Sequence, residues 1–94
     1  MTGMKGKDRA ALRADAHHLS PTVHVGAQGL TDTLVESLDD ALRTRELVKV
    51  KIGKGADVAA RDAAGRLAER TRSEVIQVIG RTVTLYRENP DLHG

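Results

Sequence analysis

Val75-Ile76-Gln77-Val78-Ile79-Gly80-Arg81-Thr82-Val83-Thr84-Leu85-Tyr86 is the stretch that decides the fold. Two apolar, β-branched runs flank Gly80-Arg81, and a Gly-X pair in that position suits a type II′ hairpin turn. Residues 75–79 and 82–86 are therefore read as an antiparallel pair. Upstream, Glu46-Leu47-Val48-Lys49-Val50-Lys51-Ile52 is a strand in which Val48, Val50 and Ile52 share one face and Lys49 and Lys51 the other. A shorter strand, Thr22-Val23-His24-Val25, ends at Gly26.

Helical spacing fills the intervals. DRAALRADAHHL, residues 8–19, places Leu12, Ala16 and Leu19 on one face behind an Asp8 cap, and Ser20-Pro21 stops it. Thr31 caps a second helix, with Asp32 at the positive end of its dipole. Leu34, Leu38 and Leu42 form its buried stripe, while Glu36, Asp39 and Asp40 form an acidic wet side. A third helix is expected from about Asp57 to Arg72, anchored by Val58 and Leu67. Gly65 within it costs roughly 1 kcal/mol relative to alanine. The order is α-β-α-β-α-β-β. Strand-helix-strand units imply parallel pairing and the closing hairpin adds an antiparallel strand, so the expected architecture is a single compact α/β domain with a mixed sheet packed against helices. Residues 1–7 are expected to be a flexible N-terminus, 8–87 the domain, and 88–94 a C-terminal tail that leaves the fold.

At 94 residues the chain can bury a modest core but no large catalytic cavity. That core must be aliphatic, because Trp and Phe are absent and Tyr86 is the single aromatic residue. Cysteine is also absent, which excludes disulfides and thiolate metal sites. MTGMKGKDRA lacks the apolar core of a signal peptide, and no apolar run approaches the ~18–20 residues a membrane span needs. A cytoplasmic protein without a membrane partner is expected. The formal net charge is only +2 but is unevenly spread. Residues 8–42 carry two arginines against six acids, whereas residues 43–87 carry eleven basic residues against five acids. Such a domain can present a positive face to an anion while staying nearly neutral.

Catalytic and metal-binding patterns are missing. Gly53-Lys54-Gly55 lacks the spacing of a phosphate-binding P-loop. His17 and His18 are adjacent and point about 100° apart on a helix, so they cannot chelate one ion together. Asp39-Asp40 is a pair by adjacency only, and no serine or threonine stands in a nucleophile elbow. No enzyme, metal or cofactor is expected.

Val25-Gly26-Ala27-Gln28-Gly29-Leu30-Thr31 is different. Its GAQG lies between a strand and a helix N-terminus, where free amides and the dipole favour an anion. Glycines there remove the Cβ atoms that would keep a sugar–phosphate backbone away. Ala27 and Gln28 bring no charge, so basic side chains must come from elsewhere.

Three blocks resemble one family: residues 12–21 (LRADAHHLSP) leading into 25–31 (VGAQGLT), residues 46–52 (ELVKVKI), and residues 77–87 (QVIGRTVTLYR). Together they are similar to the CRM domain, the chloroplast RNA splicing and ribosome maturation family, in its single-domain bacterial YhbY type. The resemblance implies a mixed four-stranded sheet similar to the C-terminal domain of translation initiation factor three. It implies RNA binding through Gly26, Ala27, Gln28 and Gly29 with nearby basic residues, and association with precursor RNA of the large ribosomal subunit. Lys54 and Arg81, with Lys49 and Lys51, are the candidate basic residues, although the last two equally suit the solvent face of a strand. Arg72-Ser73 departs from the glycine-containing turn common before the third strand in this family, which bears on where the third helix ends. An alternative is a protein-interaction module whose acidic helix-two face meets a basic ribosomal protein. A monomer is expected in either case.

Overall fold

The computed structural model describes residues 6–89. Three helices and four strands follow in the expected order: α1 (Gly6–Ala16), β1 (Val23–Val25), α2 (Asp32–Arg45), β2 (Leu47–Ile52), α3 (Ala60–Thr71), β3 (Glu74–Ile79) and β4 (Thr82–Tyr86). The sheet order is β1-β2-β4-β3. β1 and β2 are parallel, while β4 runs antiparallel to both β2 and β3. The strand-helix-strand unit around α2 thus gives the parallel pair expected of it. The unit around α3 does not, because β4 folds back into the space between β2 and β3. Gly80 has φ +57° and Arg81 has no positive φ, which fits a two-residue turn of type II′ rather than I′.

Alternation on β2 sorts the layers. Val48, Val50 and Ile52 are buried beneath α2 and α3, facing Leu38, Leu42 and Leu67 with Val83 and Leu85 of β4. Lys49 points to the other face, where its ammonium donates to the Ala16 carbonyl at the end of α1 (3.1 Å). α1 therefore packs on the opposite side of the sheet, against β2 and β3. A bulge between Val75 and Gln77 shifts the β3 register and buries Ile76.

Several boundaries differ from those read in the sequence. α1 starts before Asp8 and stops at Ala16, after which His17, His18 and Leu19 each donate to the carbonyl three residues back. This tightening turns Leu19 outward, so only Leu12 and Ala16 of the expected stripe are covered. α3 begins at Ala60 rather than Asp57: Ala59 is still extended (φ −71°, ψ 146°) and its carbonyl accepts from the Ala63 amide (2.9 Å), so the helix starts there without a capping side chain. It ends at Thr71, where Arg72 takes the left-handed conformation that a glycine would otherwise supply. Gly65 lies on the exposed side of α3 with open space around it.

Of the expected flexible N-terminus, residues 1–5 lie outside the described residues, as do residues 90–94 of the tail. The chain has not left the fold at residues 87–89. Arg87 donates its backbone amide to the Glu46 carbonyl (2.9 Å), and the Asn89 amide donates to the Glu46 carboxylate (2.7 Å).

Candidate nucleic-acid interface

Three glycine-bearing turns meet at one end of the sheet, and the ladder explains why. β1 and β2 are parallel, so Gly26–Gly29 and Gly53–Gly55 leave from the same end. The Gly53 amide donates to the Val25 carbonyl (2.8 Å), and a Cβ at Gly55 would stand 3.7 Å from that of Ala27. Gly53 must be glycine here, since its Cβ would lie 2.8 Å from the Val25 oxygen. The β3–β4 turn joins them because the Ile52 amide donates to the Arg81 carbonyl (2.7 Å). Parallel strands characteristically place ligands at these carboxyl ends.

The GAQG loop is closed by its own backbone. The Gly29 amide donates to the Gly26 carbonyl (2.9 Å), and Gly29 adopts φ +77°. The amides of Ala27, Gln28 and Leu30 donate to no acceptor among the described residues. Cβ atoms built on Gly26 or Gly29 would meet nothing within 4 Å, so the loop is bare rather than packed. The Thr31 hydroxyl accepts from the Leu34 amide (3.1 Å), making the expected cap of α2. Asp32, whose charge would oppose an anion here, is engaged by Arg70 (2.8 Å).

Lys54 and Arg81 line one open groove with Arg66, Gly80 and the start of α3, and Asp57 and Asp62 also border it. The side chains of Lys54, Arg66 and Arg81 make no ion pair or hydrogen bond among the described residues. Sequence reading missed Arg66, whose relation to Lys54 and Arg81 exists only once α3 is laid over β4. The local excess of basic residues over 43–87 was its one trace.

The structure separates Lys49 and Lys51 from this groove, on the α1 face of the sheet. Lys49 is half-buried and occupied by the Ala16 carbonyl. Lys51 is exposed one position before the strand end, paired in register with His24 and Thr82. Only Lys51 of the two is both free and near the loops.

The acidic side of α2 is largely met from within. Arg87 donates to Asp39 Oδ1 (2.7 Å) and Arg43 to Oδ2 (2.8 Å), while Arg43 also lies 3.7 Å from Asp40. The hydrogen bond from Arg87, with the charges of Arg87 and Arg43, lowers the Asp39 pKa against the opposing effect of burial. Glu36 lies beside Arg43 and Arg70 on this face but forms no ion pair among the described residues.

The CRS1/YhbY (CRM) domain model matches residues 4–87. The chain is 36% identical over 88 residues to the probable RNA-binding protein YqeI of Bacillus subtilis, covering 94% of this chain and 92% of that protein. It is 34% identical over 92 residues to an RNA-binding protein of Haemophilus influenzae, covering 97% and 92% respectively. The solution structure of a hypothetical protein from Staphylococcus aureus superposes with a TM-score of 0.78 at 36% identity, over 93% of this chain and 91% of that one.

Proposed function

This chain belongs to the CRS1/YhbY (CRM) domain family, and from that premise we propose that it is a cytoplasmic RNA-binding ribosome assembly factor that associates with large-subunit precursor RNA. Its relatives are named as RNA-binding proteins and not as enzymes. The observation that carries RNA contact is the meeting of GAQG, Lys54, Arg66 and Arg81 with the N-termini of α2 and α3 at one end of the sheet. Phosphate oxygens would accept from the unused amides of Ala27, Gln28 and Leu30. Lys54, Arg66 and Arg81 supply the attraction that the uncharged loop lacks. Contacts of this kind position a backbone and read little sequence, and they weaken steeply with salt. The role in assembly rests on the family resemblance of a stand-alone domain of this type.

Gly26→Asp is the cleanest test of the loop, since that position is open and its φ is not positive. Gly29 is a poorer choice, because any side chain there is strained by φ +77°. The folded Gly26→Asp variant should bind RNA about tenfold more weakly, the loss of one or two charge-assisted contacts. Unchanged affinity would remove the loop from the interface. In a lysate gradient the protein should migrate with free large-subunit precursors; migration only as free protein would overturn the assembly role.

A further inference from the structure

The α1 side of the sheet is half uncovered. α1 ends over β2, where Ala16 receives the Lys49 ammonium. Beyond it, one row crosses all four strands in register: His24, Lys51, Thr82 and Ile79. Ile79 is 59% exposed, the larger exposure of two large apolar side chains that stand out among the described residues. Between this row and the end of α1 lies a slot of about 140 Å³ lined by His17, Lys49, Gln77, Ile79, Thr82 and Thr84.

We propose that this slot seats one unstacked base of single-stranded RNA whose backbone is held at the loop end. The inference rests on the RNA-binding reading and adds a second subsite to it. Size is the first argument, because drug-sized ligands need about 300–1,000 Å³ and this slot suits a single flat ring. Chemistry is the second. Ile79 and the His17 imidazole offer surfaces for a base face. The Gln77 carboxamide can both donate and accept at a base edge. The half-buried Gln77 side chain has no partner among the described residues, and the Thr84 hydroxyl on the slot floor is unpartnered there too, although no side-chain polar atom of the described residues is both buried and unsatisfied. Charge is the third argument, since among the described residues no carboxylate lines the slot, Lys49 lines it, and Lys51 is the register partner of Thr82 beside it.

Position completes the case. Ile79 and Thr82 flank Gly80-Arg81, so the slot begins one residue, roughly 3.3 Å, inward from the turn that carries Arg81. Arg81 sits in the turn between the two faces, so an RNA strand held by its phosphate at Arg81 has to cross this sheet edge to set a base on the α1 face. Tyr86 lies in another row, paired with Leu47 and Glu74, and takes no part. Base preference therefore comes from hydrogen bonding by Gln77 and Thr84, not from aromatic stacking.

The test measures fluorescence anisotropy with short single-stranded homopolymers of A, C, G and U and with an RNA duplex, whose bases are already stacked. Ile79→Ser, neutral and at an exposed position, should weaken single-strand binding by about tenfold, the loss expected when an isoleucine side chain no longer buries its apolar surface against a base, and leave duplex binding unchanged. Gln77→Leu should alter the ranking of the four homopolymers without altering the salt slope. If both variants bind all four as the wild type does, or lose single strand and duplex equally, the slot is wrong. Should Gly26→Asp still weaken binding in that case, the loop reading survives alone. A wild-type protein that binds none of these RNAs overturns both.

Discussion

The two ends of the sheet are built by opposite means. At the end where α2 and α3 terminate, side chains hold the backbone together. Arg87 reaches Asp39 and also donates to the Thr71 carbonyl (2.7 Å), so one guanidinium joins β4, α2 and the last turn of α3. Thr71 bonds back to the Leu67 carbonyl (2.7 Å), and Asn89 bonds to Glu46 and to the Arg43 carbonyl. At the loop end, glycine and main-chain hydrogen bonds set the shape, and the side chains of Lys54, Arg66 and Arg81 have no partner among the described residues. Arg45 and Arg72 show that free charge alone does not mark a site, since at the tied end they have no partner among the described residues. What distinguishes the loop end is free charge beside bare amides and helix N-termini. One end is committed to holding the fold; the other keeps its polar groups available.

Breaking the tied end should produce the largest effect. Arg87→Ala leaves Asp39 without its principal donor and the Thr71 carbonyl without its cap, and should cost about 2–3 kcal/mol in urea denaturation. RNA affinity of the folded fraction should stay unchanged; a parallel loss of affinity would mean that the two ends are not independent. A pH signature accompanies this contact. The Asp39 pKa is lowered in the fold, chiefly by the Arg87 hydrogen bond. Its stabilisation is therefore present above the ordinary carboxylate range and is lost as pH falls through the depressed folded value. The stability difference between wild type and Arg87→Ala should shrink over that window, and a constant difference would contradict the assignment.

The next effect belongs to the loop end. Replacing Lys54 and Arg81 together by alanine should leave stability within about 0.5 kcal/mol, because neither side chain has a partner to lose among the described residues. RNA affinity should fall about tenfold at moderate salt, and the slope of log affinity against log salt should flatten by roughly 1.4–1.8, two phosphate contacts' worth. An unaltered slope would exclude both residues from the interface.

Much of this contrast was legible in the sequence, and its limits have physical causes. The hairpin, the β2 alternation and the Thr31 cap are local signals, read from neighbours in the chain, and all three stand in the structure. GAQG, Lys54 and Arg81 could be singled out because each sits in or beside a glycine turn. Their convergence depended on strand order, and the insertion of β4 between β2 and β3 has no local signature. Arg66 went unseen for the same reason. Lys49 had two open readings, and a carbonyl at the end of α1 supplied a third. The acidic face of α2 looked free because Arg70 and Arg87 approach it from 38 and 48 residues away.

Positive φ values sharpen the comparison with the smallest effect. Gly29 and Gly80 have positive φ near the loop end, whereas Glu46 and Arg72 have it where α2 and α3 end, and of these two only Arg72 is in the left-handed helical region. An L-residue in this region costs about 1–2 kcal/mol, partly offset because glycine has more freedom to lose from the unfolded chain, about 0.4–1 kcal/mol. Arg72 has φ +56°, is exposed and has a side chain without a partner among the described residues, so no contact among them is lost when it is removed. Its backbone role survives substitution, because the Ser73 amide still reaches the Ala68 carbonyl (2.9 Å). Arg72→Gly should therefore stabilise the domain by about 0.5 kcal/mol, and Gly80→Ala should destabilise it by a comparable amount. Opposite signs in urea denaturation would show that the tied end tolerates backbone strain which the loop end avoids through glycine. A destabilised Arg72→Gly would mean that the arginine side chain contributes to the tied end after all.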